Sequence, residues 1–184
     1  EIESSDTIHN VDYSYTSDNK KYYQTFEYQD EMLAADSGTL SPDLAKVTVG
    51  LATAAYAESE IKACLSSMNY TLVDGKTFNY DGERKATYED NDFVAFSIGY
   101  KKVSLNGETY NAYVVPIRGT TGNDEWLSNF KLGAAGDSYH YGFKKAADGV
   151  LSTLRSKIKT KNNIFLITGH SRGAAVANIV AGEL

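Results

Sequence analysis

A short apolar run that leads directly into a glycine-bracketed serine constrains the fold of this chain more than any other feature. Residues 164–167 read Ile-Phe-Leu-Ile, and an uninterrupted apolar run of this length is typical of a central strand covered on both faces. Residues 168–173 follow as Thr-Gly-His-Ser-Arg-Gly, and an alanine-rich stretch comes next. The pattern predicts a strand, a sharp turn and a helix packed closely on the sheet, which indicates an α/β fold.

The turn itself has the pattern Gly-x-Ser-x-Gly, with Ser171 between Gly169 and Gly173. A nucleophilic serine stands on a turn so sharp that the residues two before and two after it need almost no side chain, because strand and helix would otherwise collide. The turn also aims the N-terminus of the helix at the position where an oxyanion would develop. Ser171 is therefore the candidate nucleophile, and the alternative is a serine that merely turns the chain.

Composition limits the other classes of protein that the chain could belong to. With 184 residues, 42 % hydrophobic and 23 % charged, it is long enough for one globular domain with a core. The net charge of -6 and the lack of a basic stripe argue against nucleic-acid binding. A single cysteine, Cys64, excludes an intrachain disulfide and a zinc cluster, and we expect it to be buried. No apolar run approaches the roughly 18–20 residues of a membrane span, so no transmembrane segment is expected.

Local patterns in the first half of the chain predict an arm, a strand and two helices. Residues 1–20 are polar and are expected to form an N-terminal arm, either mobile or an edge strand. Residues 22–28 alternate aromatic and polar side chains, as a strand does. Ser-Pro-Asp at 41–43 can begin a helix, because serine caps, proline needs no N–H donor and aspartate complements the dipole. Apolar spacings of four and three predict a second helix over about 59–68.

The second half begins with a predicted hairpin. Strands are predicted over 93–103 and 109–117, around an Asn-Gly pair at 106–107 that suits a type I′ turn. Because proline cannot donate to a ladder, we expect the second strand to end or bulge near Pro116. An apolar stripe then predicts a helix over about 142–159.

Four motifs taken together resemble the class 3 lipases of the α/β-hydrolase superfamily. They are Ile-Arg-Gly-Thr at 117–120, Glu-Trp-Leu-Ser-Asn-Phe at 125–130, His-Tyr-Gly-Phe at 140–143 and Gly-His-Ser-Arg-Gly at 169–173. They occur in the family's order and near its spacing, which is more specific than any one motif. The resemblance is firm over about 92–184, and 22–70 is more loosely similar to the helical lead-in of bacterial secreted members. It implies an α/β-hydrolase fold, hydrolysis of carboxylic esters, and a secreted or extracellular protein.

The resemblance also implies roles for the residues around the serine. Ser171 would be the nucleophile, and the backbone amides of Thr120 and Arg172 would form the oxyanion hole. A loop after an earlier strand supplies the second donor in hydrolases of this type, which agrees with the place of Thr120, although an ordinary turn threonine is the alternative. Supporting roles fall to five neighbours of these groups, which are Arg118, Gly119, Gly169, His170 and Gly173.

Two further groups have an expected role and a simpler alternative. Gly119 would let the backbone come close, and Arg118 has five donors with which to hold the loop, unless it is an ordinary solvated arginine. Trp126, Leu127 and Phe130 lie where fungal members of the family carry a lid over the site. The alternative for these three is core packing under a surface loop.

The general base is the part of the site that the sequence does not supply. Acylation by serine needs an imidazole oriented by a carboxylate, and the chain order in this fold is Ser, then Asp or Glu, then His. Leu184 follows Ser171 by only 13 residues. None of the three histidines is expected to serve, because His170 would project away from the serine, His140 belongs to a structural motif, and His9 lies in the arm.

We therefore expect residues 21–184 to be the N-terminal part of a single α/β-hydrolase domain, with the sheet incomplete after the helix that follows Ser171. The base and its acidic partner would come from sequence beyond Leu184. The expected partners are an ester or lipid substrate and that C-terminal part of the same protein, and no metal or cofactor is expected. The alternative is a non-catalytic surface or binding protein that keeps a lipase-like fold.

Overall fold

The computed structural model describes residues 1–80, 93–119, 138–159 and 161–184, with the side chains of the third range from 143 onward. In chain order the elements are β1 (His9–Ser17), β2 (Lys20–Tyr28), α1 (Pro42–Ala54), α2 (Glu58–Ser67), β3 (Thr71–Leu72), β4 (Gly99–Leu105), β5 (Glu108–Ile117), α3 (Ser138–Arg155), β6 (Asn163–Gly169) and α4 (Arg172–Gly182). Short 3₁₀ turns lie at Asp30–Ala34 and Val73–Gly75. None of the helices in these ranges is long and apolar enough to cross a membrane.

A mixed sheet with strand order β3-β4-β5-β6 forms the centre of the molecule. Strands β4 and β5 are the predicted hairpin, and Asn106 and Gly107 in its turn both have positive φ, at 51° and 83°, as a type I′ turn requires. Strand β5 pairs with β6 in parallel, with Ile117 opposite Gly169. The loops that follow these two strands therefore leave the sheet side by side, at the edge where α/β proteins place their sites.

Both faces of the sheet are covered, because alternate residues of β5 point into different cores. Val114 belongs to a cluster shared with the β1–β2 hairpin, α1 and α2, whereas Val115 and Ile117 belong to a cluster shared with α3 and α4. In β6, Leu166 joins the first cluster and Ile167 packs against the second. The apolar run of β6 thus faces both cores, as predicted, and the mixed sheet with flanking helices is compatible with an α/β-hydrolase fold.

Helix α1 begins as the sequence predicts and is tied directly to β6. Ser41 Oγ accepts a hydrogen bond from Leu44 N at 3.3 Å, and Pro42 occupies the first helical position. Thr168 Oγ1, near the end of β6, donates to Thr48 O at 3.0 Å. Helix α1 is therefore fixed against the strand that leads to the candidate nucleophile.

The N-terminal arm contains a strand. Strand β1 pairs with β2 along its whole length in a two-stranded antiparallel sheet, and its Val11 is completely buried. The β1–β2 hairpin packs on α1 and α2. Cys64 of α2 is buried, as expected, and burial raises the pKa of its thiol to about 12.

The strand predicted over 93–103 begins only at Gly99, so the prediction placed its start too early. In the described residues immediately before Gly99, the chain forms isolated β-bridges and no continuous ladder. Phe96 makes two of these bridges, one to Phe78 and one to Ile117. Phe96 also stacks on the Phe78 ring, with centroids 4.8 Å apart. A partner from a distant segment thus takes the place of a continuous ladder.

The helix predicted over about 142–159 begins earlier, at Ser138, and ends at Arg155.

The second strand of the hairpin ends at Ile117, one residue after Pro116, which agrees with the expected end near the proline. Strand β5 continues through Pro116 to Ile117. The proline carbonyl still accepts, from Ser97 N at 3.2 Å. The missing donor at Pro116 therefore does not stop the parallel pairing with β6.

Replacing Gly50 of α1 with alanine should destabilise the protein, although alanine favours helices. A Cβ at this position would overlap the buried ring of Phe26, and overpacking of this kind costs about 1–3 kcal/mol. The matched control is Gly149→Ala in α3, where a Cβ meets nothing within 4 Å and the gain should be about 0.5–1 kcal/mol. Urea unfolding measures both changes, and equal stabilisation by the two substitutions would contradict the packing described here.

Candidate active site

Ser171 occupies the strained turn that its glycine bracket predicts. Strand β6 ends at Gly169 and α4 begins at Arg172, and Ser171 between them has φ 57° and ψ −124°. A non-glycine residue in a sparsely populated region costs on the order of 1–3 kcal/mol and persists only where its surroundings hold it. The serine is thus held at the start of a helix, at the carboxyl end of a parallel strand.

Both glycines of the bracket are required by close backbone contacts. A Cβ at Gly169 would overlap the carbonyl group of Gly173 and lie 2.9 Å from Ala174 N. A Cβ at Gly173 would overlap Ile117 O at the end of β5 and lie 3.0 Å from the carbonyl carbon of Arg118. The turn is therefore packed backbone to backbone against its own helix and against the neighbouring strand.

The loop after β5 lies directly against this turn. Arg118 N donates to Ala95 O at 2.8 Å, which fixes the start of the loop. Gly119 is buried, and a Cβ there would come within 2.7 Å of His170 O. The residue expected to supply an oxyanion-hole amide, Thr120, comes next in the chain and lies outside the described residues.

Arg118 packs against an aromatic ring and is not a freely solvated arginine. Its guanidinium carbon is 5.0 Å from the centroid of the Tyr80 ring, a distance typical of a cation–π contact. Burial raises the pKa of Tyr56, and the charge of Arg118 opposes that rise. Arg118 therefore contacts Tyr80 and acts on Tyr56 through its charge.

His170 is exposed on the turn and is paired with a tyrosine. Its Nδ1 lies 2.8 Å from the hydroxyl oxygen of Tyr56, and the two rings are tilted by 59° with centroids 5.9 Å apart. Ser171 Oγ is buried and has no hydrogen-bond partner among the residues that the structure describes. Within that part of the chain, no base is bonded to the serine.

Sequence reasoning missed Tyr56. It follows α1 in the turn before α2 and is 114 residues from His170, and no local pattern marks such a contact. His9 lies elsewhere, where its ring bonds Glu3 Oε2 and Ser67 O at 2.9 Å each.

The remaining predicted site residues are only partly described. Arg172 is the first residue of α4, so its backbone N–H points from the helix N-terminus toward the turn. The proposed lid residues Trp126, Leu127 and Phe130 lie outside the described residues, as does the side chain of His140. Within the described ranges, no group of three or more His, Cys, Asp or Glu side chains could hold a metal ion.

Comparison with known proteins identifies a family that part of the chain resembles. Residues 114–184 match the family described as Lipase (class 3), which confirms the resemblance found in the motifs. The chain is therefore class 3 lipase-like, and this match covers its C-terminal part. That family implies an α/β-hydrolase fold, with which the mixed sheet and its helices are compatible.

The chain is also similar to a particular curated enzyme. Secreted mono- and diacylglycerol lipase 1 of Fusarium solani is 35 % identical over 82 residues, which cover 39 % of this chain and 25 % of the relative. The chain thus spans about a quarter of the length of this relative. No solved structure matches the chain.

Replacing Gly173 with alanine should destabilise the protein by at least about 1–3 kcal/mol, because the new methyl group would press on backbone atoms that cannot move aside. Gly182→Ala near the end of the same helix is the matched control, because a Cβ there meets nothing within 4 Å. Thermal unfolding of the two variants measures the difference. A Gly173→Ala protein as stable as the control would contradict the close contact between α4 and β5.

Proposed function

We propose that this chain is part of a secreted serine hydrolase that cleaves carboxylic esters of lipids through an acyl-serine intermediate. The single observation that carries the proposal is the strained backbone of Ser171 between β6 and α4, with the loop after β5 packed against it. An ordinary turn serine needs neither feature. The similarity to a mono- and diacylglycerol lipase supports lipid esters as the substrate class.

In the proposed mechanism, Ser171 Oγ attacks the ester carbonyl carbon while a general base takes its proton. The carbonyl oxygen becomes an oxyanion, which accepts hydrogen bonds from the backbone N–H groups of Arg172 and Thr120. The intermediate collapses, the base gives its proton to the leaving alcohol, and the acyl group stays on the serine. In the second half of the reaction the base takes a proton from water, which attacks the acyl carbon. The serine oxygen then leaves, the base returns the proton to it, and the acid is released. These steps use no cofactor.

The base and its carboxylate partner are proposed to come from sequence that follows Leu184 in the complete protein. Ser171 Oγ has no hydrogen-bond partner in the part of the chain described. The Nδ1 of His170 is bonded to Tyr56, and both ring nitrogens of His9 are bonded in the N-terminal region. The limited coverage of the relative, 25 % of its length, is consistent with a longer enzyme.

The segment with Trp126, Leu127 and Phe130 is proposed as a lid over the acyl site. Three apolar side chains at this spacing would share one face if the segment formed a short helix. Such a face would cover the serine in water and meet the apolar part of a lipid on opening.

The full-length protein should hydrolyse p-nitrophenyl esters and react with a fluorophosphonate at Ser171, and Ser171→Ala should abolish both. Ser156→Ala is the matched control, because Ser156 is an exposed serine near the end of α3. The chain of residues 1–184 alone should retain at most the residual catalysis of a dismantled triad, about 10³–10⁴-fold over water.

Three results would contradict parts of this proposal. Full activity in the 1–184 chain that is lost on His140→Ala or His170→Ala would contradict a base beyond Leu184. Activity that survives Ser171→Ala would contradict the assignment of Ser171 as the nucleophile. A full-length protein that is neither active nor labelled would favour a binding protein with a lipase-like fold.

A further inference from the structure

Tyr56 contacts both segments that border the candidate nucleophile. Its hydroxyl oxygen lies 2.8 Å from Nδ1 of His170, the residue before Ser171. The same hydroxyl lies so close to Gly119 that a Cβ there would overlap it, and that Cβ would be 3.1 Å from Cζ of the ring. One side chain, from the turn after α1, therefore touches the serine turn and the loop after β5.

Three groups meet at Gly119. The ring end of Tyr56 and the carbonyl oxygen of His170 both lie against the third group, the Gly119 backbone. Because Gly119 precedes Thr120 and His170 precedes Ser171, this junction lies one residue from each position that the proposed chemistry uses. A shift of the junction would change the separation between the oxyanion-hole loop and the nucleophile.

We infer that Tyr56 is a positioning residue for ester hydrolysis, which holds the loop after β5 at a fixed distance from the Ser171 turn through its bond to His170. This inference rests on the proposed function. Catalysis by an oxyanion hole depends on donors that are placed before the reaction, and small misplacements lower the rate greatly. Tyr56 acts through its neighbours and takes no part in the proton transfers.

The charges around Tyr56 suit this role. The side chain is half-buried, and burial raises the pKa of its phenol above the ordinary value although Arg118 opposes the rise. The phenol therefore keeps its proton through neutral pH and remains available for the bond with His170. Helix α1, which ends at Ala54 two residues before Tyr56, is held to β6 by the bond from Thr168 to Thr48.

The test is steady-state ester hydrolysis by the full-length protein with Tyr56→Phe, which removes only the hydroxyl. We expect kcat to fall about three- to tenfold, as the loss of one hydrogen bond allows, while KM changes less than twofold because the ester itself loses no contact. The matched control is Tyr100→Phe, in which a hydroxyl bonded to Asn111 Oδ1 at 3.0 Å is lost from β4. The control should keep the wild-type kcat.

A double-mutant cycle shows whether Tyr56 acts through His170. His170→Ala should lower kcat by a similar factor, and the Tyr56→Phe/His170→Ala double variant should be no slower than the slower single variant. His170→Asn keeps a polar atom near the position of Nδ1 and should recover part of the loss. Thermal unfolding of each variant separates lost activity from lost folding.

The outcomes distinguish this inference from the proposed function. A wild-type protein without esterase activity would overturn the proposed function and the inference with it. An active wild type with Tyr56→Phe at the kcat of Tyr100→Phe would overturn the inference alone. The inference alone would also be overturned if the two single losses in kcat multiplied in the double variant, or if Tyr56→Phe changed only KM.

Discussion

The site depends on one close approach between main chains. The first turn of α4 lies against the end of β5, where Gly173 leaves no room for a methyl group beside Ile117 O. The parallel pairing of β5 with β6 brings the two strand ends together, and Gly119 then meets the carbonyl of His170. Without this approach, the loop after β5 could not border the serine turn, as the proposed oxyanion hole requires.

The strained backbone of Ser171 is held from both sides of the sheet. Its unusual φ and ψ cost on the order of 1–3 kcal/mol, and the packing around it offsets that cost. Val176 and Val180 of α4 are fully buried in one core, while Thr168 is tied to α1 over the other. The fold itself therefore fixes the serine in place, as the proposed mechanism requires.

Local sequence patterns predicted the structural elements that interactions between neighbouring residues determine. The cap at Ser41, the Asn-Gly hairpin and the turn at Ser171 follow from hydrogen bonding or steric limits within a few residues. The start of β4 could not be predicted because Phe96 pairs with a distant segment in place of a ladder. The contact between Tyr56 and His170 spans 114 residues, so only the assembled sheet and helices bring it about.

The most direct test of this account is a crystal structure of the full-length protein after reaction with an ester-like phosphonate. The account predicts a covalent bond from Ser171 Oγ to phosphorus, with the phosphonyl oxygen about 2.7–3.1 Å from the backbone nitrogens of Arg172 and Thr120. A phosphonate bonded to another residue would contradict the account. So would a phosphonyl oxygen that points away from both amides.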